Sequence, residues 1–485
     1  MNKKSLVVSY NDLADDIAKP YFLYKSLKKT SFQPYFLINE SKKKSAFLNF
    51  HGAKYITFKI LTISNFFYLI LGLFVSFLAS YKIKKEFEDI AFKSFCISAK
   101  NRVGGLRLIS SRKLNYLRLK FLIVKIIVKG FLFIKFSFHK SVDNVILDER
   151  HKLPESIIYY LAIGNNIPVT QYTRGPYQNS LGIKKLFLKN WWHHPLSDSK
   201  AILNQKIDDS NFPNDWEKKL LNEISKRYES NHWYDRNLIV GAKNKQSFKK
   251  LFHKDIEDYV LIVPHIFWDA TFSYGESIFE DYLSWLVEVL NLASKTNLKY
   301  ICKLHPDLEW KSKRLMKGFD HLDFISKKVS EFKADNVRIL SPETEISPLS
   351  LIKNAKAVLT VRGTAGLEAA CFGVPTMTAG SGRYSSFGFT INSSSKEEFK
   401  KNFLEIKNLK SLSNDQIENA RKLAFKIFFQ KPLILNSLNL ARDLSKDMSM
   451  DSLLESFQED SFEGDYKKYK FHDFFKEEIF DIYST

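Results

Sequence analysis

Cysteine is scarce in this chain of 485 residues. Cys96, Cys302 and Cys371 are the full set, the number is odd, and no two of them form a CxxC pair. This pattern argues against a disulfide framework and favours a reducing compartment. Residues 1–10 also lack the long apolar run and small-residue cleavage site of a signal peptide, so they predict a first β-strand.

Acidic residues are outnumbered. The chain has 53 Asp and Glu against 74 Lys and Arg, and its formal net charge is +21. Such a balance favours anionic partners, which include nucleic acid, acidic lipid and phosphorylated small molecules. The lysines are scattered, and the sequence has no helix-turn-helix, RNA-recognition or zinc-finger signature. We therefore expect no nucleic-acid partner.

Residues 61–81 contain no charged side chain, and their length suits a membrane-spanning helix. Strand-like segments lie on both sides, however, so one crossing would divide a single sheet across the bilayer. A second crossing over residues 119–138 would place several lysines in lipid at high cost. A basic amphipathic helix on an anionic membrane surface, or a helix buried in the first domain, fits this second segment better. The lysines concerned are Lys120, Lys125, Lys129 and Lys135.

Strand-like and helix-like segments alternate along most of the chain, which predicts an α/β protein with mostly parallel sheets. We place a first Rossmann-like domain at residues 1–236 and a second at residues 237–425. Residues 426–485 are expected to form a C-terminal helix and an acidic tail.

In an open α/β sheet, ligands bind beyond the carboxyl ends of the strands. The predicted strand Ala357–Val361 ends at Arg362, Gly363 and Thr364, where a helix begins. A helix N-terminus favours an anion, Gly363 permits close approach of a ligand, and Arg362 adds a forked set of donors. Glu368 follows one turn later and is suited to bonding ribose hydroxyls.

Further donor groups follow other predicted strands of the second domain. One such histidine is more often structural than functional, but donor groups at three strand ends of one domain predict a phosphate site. These residues are His265, His305 with Pro306, and the loop Ser381, Gly382, Arg383 and Tyr384.

Together these segments resemble the nucleotide-sugar half of GT-B glycosyltransferases. The stretches PHIFWDATF, KLHPD, TEISPLSLI and LTVRGTAGLEAACFGVPTMTAGSGRYSSFGFT are most similar to bacterial capsule and surface-carbohydrate biosynthesis proteins. These include sialic-acid and Kdo transferases with an HP motif. The resemblance covers roughly Val260 to Thr390, and it implies two Rossmann-like domains that face a cleft.

The resemblance also bears on metal dependence. Metal-using GT-A enzymes carry an Asp-x-Asp pair, which this chain lacks, and no His or Cys cluster has zinc spacing. GT-B enzymes stabilise the leaving phosphate with a helix dipole and basic groups. We therefore expect a site without a metal, and no cofactor beyond the nucleotide-sugar co-substrate.

An inverting transfer needs a group that accepts the proton of the acceptor hydroxyl. Asp269 follows the first strand of the second domain, and Asp148 and Glu149 end a strand of the first domain. His151 and Arg174 lie nearby in sequence. If the donor is a Kdo-like sugar transferred with retention, the carboxylate acts as a nucleophile instead.

The resemblance implies a glycosyltransferase peripheral to the cytoplasmic face of the cell membrane. It would move a hexosyl, sialyl or Kdo group from a nucleotide-sugar donor to a growing capsule or lipopolysaccharide chain or a lipid-linked saccharide. A nucleotide-sugar epimerase or hydrolase of the same fold is the first alternative. The second is a non-catalytic partner in polysaccharide assembly or export.

Overall fold

The computed structural model describes most of the chain, as two compact units. Unit 1 contains residues 1–96, 110–199 and 429–485, and unit 2 contains residues 97–109 and 200–428. The described residues are 3–10, 16–60, 65–98, 104–148, 150–177, 179–227, 259–305, 308, 320–342, 344, 346–439 and 449–482.

Each unit is built on its own sheet, which confirms the predicted pair of Rossmann-like α/β domains. The strands are β1 Lys3–Ser9, β2 Phe32–Ile38, β3 Tyr55–Thr57, β4 Val142–Leu147, β5 Val169–Arg174, β6 Ser180–Leu186, β7 Tyr259–Ile262, β8 Lys299–Lys303, β9 Val337–Leu340, β10 Ala355–Thr360, β11 Thr376–Thr378, β12 Thr390–Asn392 and β13 Leu433–Ile434.

The described helices fill the connections between these strands. They are α1 Ala18–Lys28, α2 Lys42–Phe50, α3 Asn65–Val75, α4 Lys85–Ile97, α5 Ser111–Phe136, α6 Phe138–Ser141, α7 Glu155–Gly164, α8 Ser199–Asn204, α9 Trp216–Arg227, α10 Tyr282–Ala293, α11 His321–Glu331, α12 Pro348–Lys353, α13 Thr364–Cys371, α14 Lys396–Leu404, α15 Asn414–Phe425, α16 Met450–Leu454, α17 Glu459–Lys468 and α18 Phe471–Lys476.

The sheet of unit 1 has the order β13-β6-β5-β4-β1-β2-β3. Strands β1 to β5 pair in parallel, whereas β6 runs antiparallel to β5 and β13 antiparallel to β6. The central strands are buried runs of Val, Ile and Leu, as expected of a sheet with helices on both faces. Phe22 of α1 and Phe471 of α18 pack edge to face in its core.

Buried charges attach the C-terminal segment to unit 1. The ammonium of Lys184 on β6 donates to the carboxylate of Asp481, and that of Lys431 donates to the same carboxylate at 3.0 Å. The N–H of Lys185 donates to the carbonyl of Phe480 at 2.9 Å. Buried ions need such pairing to offset their lost hydration. The segment predicted as a helix with a tail is therefore an integral layer of unit 1.

The sheet of unit 2 has the order β12-β11-β10-β7-β8-β9, and every strand pair in it is parallel. Trp285 of α10 is fully buried in its core, with Phe399 and Phe403 of α14. A short segment from residues 104–109 also belongs to this unit. The N–H of Leu106 donates to the carboxylate of Asp281 at 2.6 Å, and Arg107 pairs with Glu280 at 2.7 Å.

The domain boundaries were predicted at 236 and 425. Position 236 lies outside the described residues. In the structure, the main part of unit 2 begins at Lys200 and ends at Phe428.

The apolar segment 61–81 contains the short helix α3 and a 3-10 turn at Ala79–Tyr81. Among the described residues, no helix combines the length and apolar character that a membrane crossing requires. Helix α5 is longer, but its predicted basic face is only partly present. Lys129 is buried, with a pKa lowered to about 8 by desolvation, and Lys125 is paired with Glu88. Packing of α5 within unit 1 explains this difference.

Candidate functional site

The strand order of unit 2 defines one position where a ligand is expected. The chain runs from β7 outward through β8 to β9, and then returns to β10 on the other side of β7. Loops that leave β7 and β10 therefore diverge at their carboxyl ends. Open α/β sheets bind ligands at such a switch point.

His265 lies in the loop after β7, at this switch point. Its Nε2 accepts a hydrogen bond from the backbone N–H of Arg362, which follows β10, at 3.2 Å. An accepting Nε2 leaves the ring proton of a neutral imidazole on Nδ1. The ring also stacks on Tyr282 of α10, with 4.4 Å between centroids. His265 is thus oriented as a neutral donor.

The surroundings of His265 are strongly basic. Burial is the largest cause that lowers its pKa, to about 3, and the charges of Arg362, His305 and Arg383 lower it further. These four residues follow β7, β10, β8 and β11, four consecutive strands of the sheet. A local excess of positive potential favours a bound anion such as phosphate.

Arg362 has a different environment from the one predicted. Its side chain is buried and donates to the carbonyls of Gly275 and Glu276, each at 2.9 Å. Two of its nitrogens are therefore already engaged by the backbone. The expectation that its fork is open to a ligand is not met, because the loop at residues 275–276 folds back onto it.

That loop is joined to the glycine-rich segment after β11. The N–H of Ser381 donates to the carbonyl of Glu276 at 3.0 Å, and the N–H of Glu276 donates to Ser381 Oγ at 2.8 Å. Gly380 has a φ of +122°, and a Cβ there would lie 2.2 Å from the Glu276 carbonyl oxygen. Gly382 lies against the side chain of Arg362. Ser381 thus supports the site by bonding to Glu276, and Gly382 supports it by leaving room for the side chain of Arg362.

Helix α13 begins beside these loops. Gly363 is its N-cap residue and Thr364 its first residue. The hydroxyl of Thr364 accepts a hydrogen bond from Arg383, and the hydroxyl of Tyr384 donates to the Gly363 carbonyl at 2.7 Å. Burial lowers the pKa of Arg383. Arg383 is therefore held at the positive end of a helix dipole, where an anion is stabilised.

Gly363 is suited to this position by size. A Cβ there would lie 2.9 Å from Thr360 Oγ1, which is too close, and 3.5 Å from Nε2 of His265, which is ordinary contact. Glu368 is fully buried. Its position four residues into the helix carries its carboxylate into the interior of unit 2, and its predicted contact with a ribose stays a prediction.

The candidate bases fall in both units. Asp269 is exposed in the same loop as His265. Asp148 follows β4 in unit 1, where its carbonyl accepts from the side-chain amide of Gln171 at 2.7 Å. His151 is buried, and Arg174 is paired with Asp16. Glu149 and Pro306 lie outside the described residues.

Sequence reasoning missed three parts of this site: Tyr282, the loop Gly275–Glu276 and Thr360. A single tyrosine at the start of a helix belongs to no sequence motif that would indicate a binding site. Backbone carbonyls have no side-chain signature in the sequence. Among the residues that the structure covers, no three His, Cys, Asp or Glu side chains are grouped to hold a metal ion.

Comparison with known families bears on these motifs. Residues 198–421 match the family described as "Capsule polysaccharide biosynthesis protein". The match spans every strand from β7 to β12, and it confirms the predicted resemblance to capsule biosynthesis proteins. No curated protein sequence matches the chain significantly.

Solved structures give weaker similarities. The beta Kdo 2,4 transferase KpsC of Thermosulfurimonas dismutans aligns at 12% identity over 65% of this chain and 88% of its own, with a TM-score of 0.34. UDP-GlcNAc 2-epimerase from Neisseria meningitidis, bound to UDP-GlcNAc, aligns at 13% identity over 87% and 99%, with a TM-score of 0.28. HepE from Anabaena, in complex with UDP and glucose, aligns at 10% identity over 88% and 95%, with a TM-score of 0.29. At these scores the sheet topology, and not the alignments, establishes the fold.

Proposed function

We propose that this protein is a glycosyltransferase that moves a sugar from a nucleotide-activated donor to a growing surface polysaccharide or a lipid-linked saccharide. The observation that carries the proposal is the convergence of His265, Arg362 and Arg383 beyond the carboxyl ends of β7, β10 and β11. The match of residues 198–421 to capsule biosynthesis proteins supports the acceptor class.

The site chemistry suits departure of a nucleotide. As the bond from the sugar to the phosphate oxygen breaks, negative charge grows on that oxygen. We propose that Arg383, the Nδ1–H of His265 and the N-terminus of α13 stabilise this charge. Arg362 holds the loop at residues 275–276 in place. Because these groups supply positive charge, and because the sequence has no Asp-x-Asp pair, we propose transfer without a metal.

Asp269 is the proposed base. Its exposed carboxylate lies four residues after His265 in the same loop. It would accept the proton of the acceptor hydroxyl while the oxygen attacks the anomeric carbon and the nucleotide leaves. We further propose that the protein works at the inner face of the cell membrane, because its net charge of +21 suits an anionic surface.

Calorimetric titration of the full chain with CMP, UDP and GDP tests the donor site. One nucleotide should bind clearly more tightly than the others. Asp269→Asn should keep that affinity and lose transfer, since the base is not a phosphate ligand. Absence of binding by all three would contradict the proposal and favour a non-catalytic partner. Turnover of the nucleotide-sugar without any acceptor would favour the epimerase or hydrolase.

A further inference from the structure

Helix α3 and the turn after it present large apolar side chains to solvent. Four phenylalanines are the most exposed members, at 66% for Phe66, 60% for Phe67, 70% for Phe74 and 83% for Phe77. We call the whole set the α3 surface, and it consists of Phe66, Phe67, Ile70, Leu73, Phe74, Phe77 and Leu78. Contiguous exposed apolar patches of this kind mark interaction sites.

The opposite side of α3 is fixed against α5 at two glycines. A Cβ on Gly72 would lie 2.0 Å from the carbonyl oxygen of Ile126, and one on Gly130 would lie 2.1 Å from that of Tyr68. The two backbones are therefore in direct contact, with no room for side chains between them. Because this contact determines which side of α3 is buried, the helix cannot rotate to hide its phenylalanines.

The charges along the α3 segment and along α5 are positive, whereas Glu86, Glu88 and Asp89 follow at the start of α4. Residues 59–85 contain no Asp or Glu, and exposed lysines follow the surface at Lys82, Lys84 and Lys85. Helix α5, which packs on α3, also has no acidic residue and carries seven basic ones. A second copy of the chain would bring like charges together, whereas an anionic lipid surface would attract them.

We infer that the α3 surface inserts into the headgroup region of an anionic bilayer. The phenylalanines would enter the boundary between headgroups and acyl chains, and the lysines at 82, 84 and 85 would contact the anionic headgroups. The inference rests on the proposed membrane-associated function, but it does not require the donor site in unit 2. We therefore expect the α3 surface, and not the lysine face of α5, to be the main membrane contact, since Lys129 is buried and Lys125 is paired with Glu88.

Vesicle flotation of the full chain tests this surface. Wild-type protein should float with vesicles of phosphatidylcholine and phosphatidylglycerol and float much less with phosphatidylcholine alone. Phe74→Ser with Phe77→Ser should weaken binding by roughly tenfold per phenylalanine, since each loses most of its transfer into an apolar phase. Phe50→Ser is the matched control, because Phe50 is 68% exposed at the end of α2 but lies outside the α3 surface. It should bind as the wild type does.

A fluorescent label gives a direct reading of insertion. The three native cysteines are buried, and burial raises the pKa of each thiol to about 12, so they react poorly. Phe77→Cys therefore creates an accessible site for a polarity-sensitive dye, and Phe50→Cys provides the control site. The emission of the first should shift to the blue with anionic vesicles, and that of the second should not.

Several results would overturn the inference. One is equal vesicle binding by the double serine variant and the wild type. Another is a wild-type dimer, seen by analytical ultracentrifugation, that the same variant converts to a monomer while neither protein binds vesicles. Nucleotide titration of the same samples separates the proposals. A variant that loses vesicles but keeps nucleotide supports the inference, and a wild type that binds nucleotide but no vesicle refutes it alone.

Discussion

The backbone N–H of Arg362 donates to Nε2 of His265 across 3.2 Å, and this bond joins the loops that leave β10 and β7. Since Nε2 accepts, the ring keeps its proton on Nδ1 and remains neutral, in keeping with a pKa lowered to about 3. The two arginines near it differ in environment. Arg362 is engaged by two backbone carbonyls, whereas Arg383 donates to the hydroxyl of Thr364.

This difference predicts that one alanine substitution mainly weakens nucleotide binding and the other mainly lowers stability. Arg383→Ala should weaken binding of the preferred nucleotide roughly ten- to hundredfold, because one charge-assisted bond is lost, with little change in stability. Arg362→Ala should instead lower the free energy of unfolding by about 3 kcal/mol or more, since it removes two charged hydrogen bonds to buried carbonyls. Calorimetry and urea unfolding measure the two effects.

Lys407→Ala, at an exposed position of unit 2, is the control for loss of one positive charge. It should change neither quantity appreciably. Unchanged nucleotide affinity in Arg383→Ala would remove Arg383 from the proposed site.

Tyr384 and Gly366 predict a coupled pair of substitutions. A Cβ on Gly366 would lie 2.5 Å from the hydroxyl of Tyr384, so Gly366→Ala should be destabilising by about 1–3 kcal/mol. Tyr384→Phe should cost about 1 kcal/mol, because the Gly363 carbonyl loses its donor. The double variant should be more stable than the sum predicts, since removal of the hydroxyl makes room for the methyl group.

Urea unfolding of the four proteins gives the coupling energy. This energy should be smaller than the full cost of Gly366→Ala, because the added methyl group would still lie 2.9 Å from Cγ2 of Thr376. Strict additivity would show that the hydroxyl of Tyr384 does not limit the space at Gly366.

The sequence predicted the strands well because their signals are local. The first strand predicted within residues 1–10 is β1 at Lys3–Ser9, and the predicted strand Ala357–Val361 overlaps β10 at Ala355–Thr360. Donor groups at strand ends could also be expected to meet, since parallel strands end at one edge of a sheet. The carbonyls that engage Arg362 lie almost ninety residues away along the chain and have no side-chain signature. Likewise, helical periodicity groups the lysines of α5 on a face but does not show what packs there.

Burial of His321 predicts a pH-dependent stability of unit 2. Desolvation lowers its pKa from 6.5 to about 4, although the carboxylate of Asp320 opposes this shift. Below pH 6.5 the unfolded chain takes up a proton that the folded protein does not. The free energy of unfolding should therefore be fully retained above about pH 6.5 and fall as the pH drops toward 4. At pH 5 the loss from this group is about 2 kcal/mol.

His321→Phe isolates this contribution. The replacement ring can keep the stacking on Phe267 and Trp268, whose centroids each lie 5.2 Å from that of His321. It cannot take up a proton in the unfolded state. Urea unfolding at pH 8 and pH 5 should show a smaller acid loss in the variant by about 2 kcal/mol. Equal acid losses in the two proteins would contradict the assignment.

The space around Gly72, at the contact of α3 with α5, and around Gly464 predicts that alanine changes stability in opposite directions at these two positions. At Gly72 the added Cβ would lie 2.0 Å from a backbone oxygen, which cannot move without displacing the helix, so Gly72→Ala should lower stability by about 1–3 kcal/mol. Gly464 lies inside α17 with no atom within 4 Å of its Cβ position. There alanine should raise stability by about 0.5–1 kcal/mol, because it restricts the unfolded chain and favours the helix. Thermal unfolding of both variants distinguishes a fixed helix pair from a loose one. If Gly72→Ala melts at the wild-type temperature, α3 is free to move away from α5, and the phenylalanines it carries are not held outward by that contact.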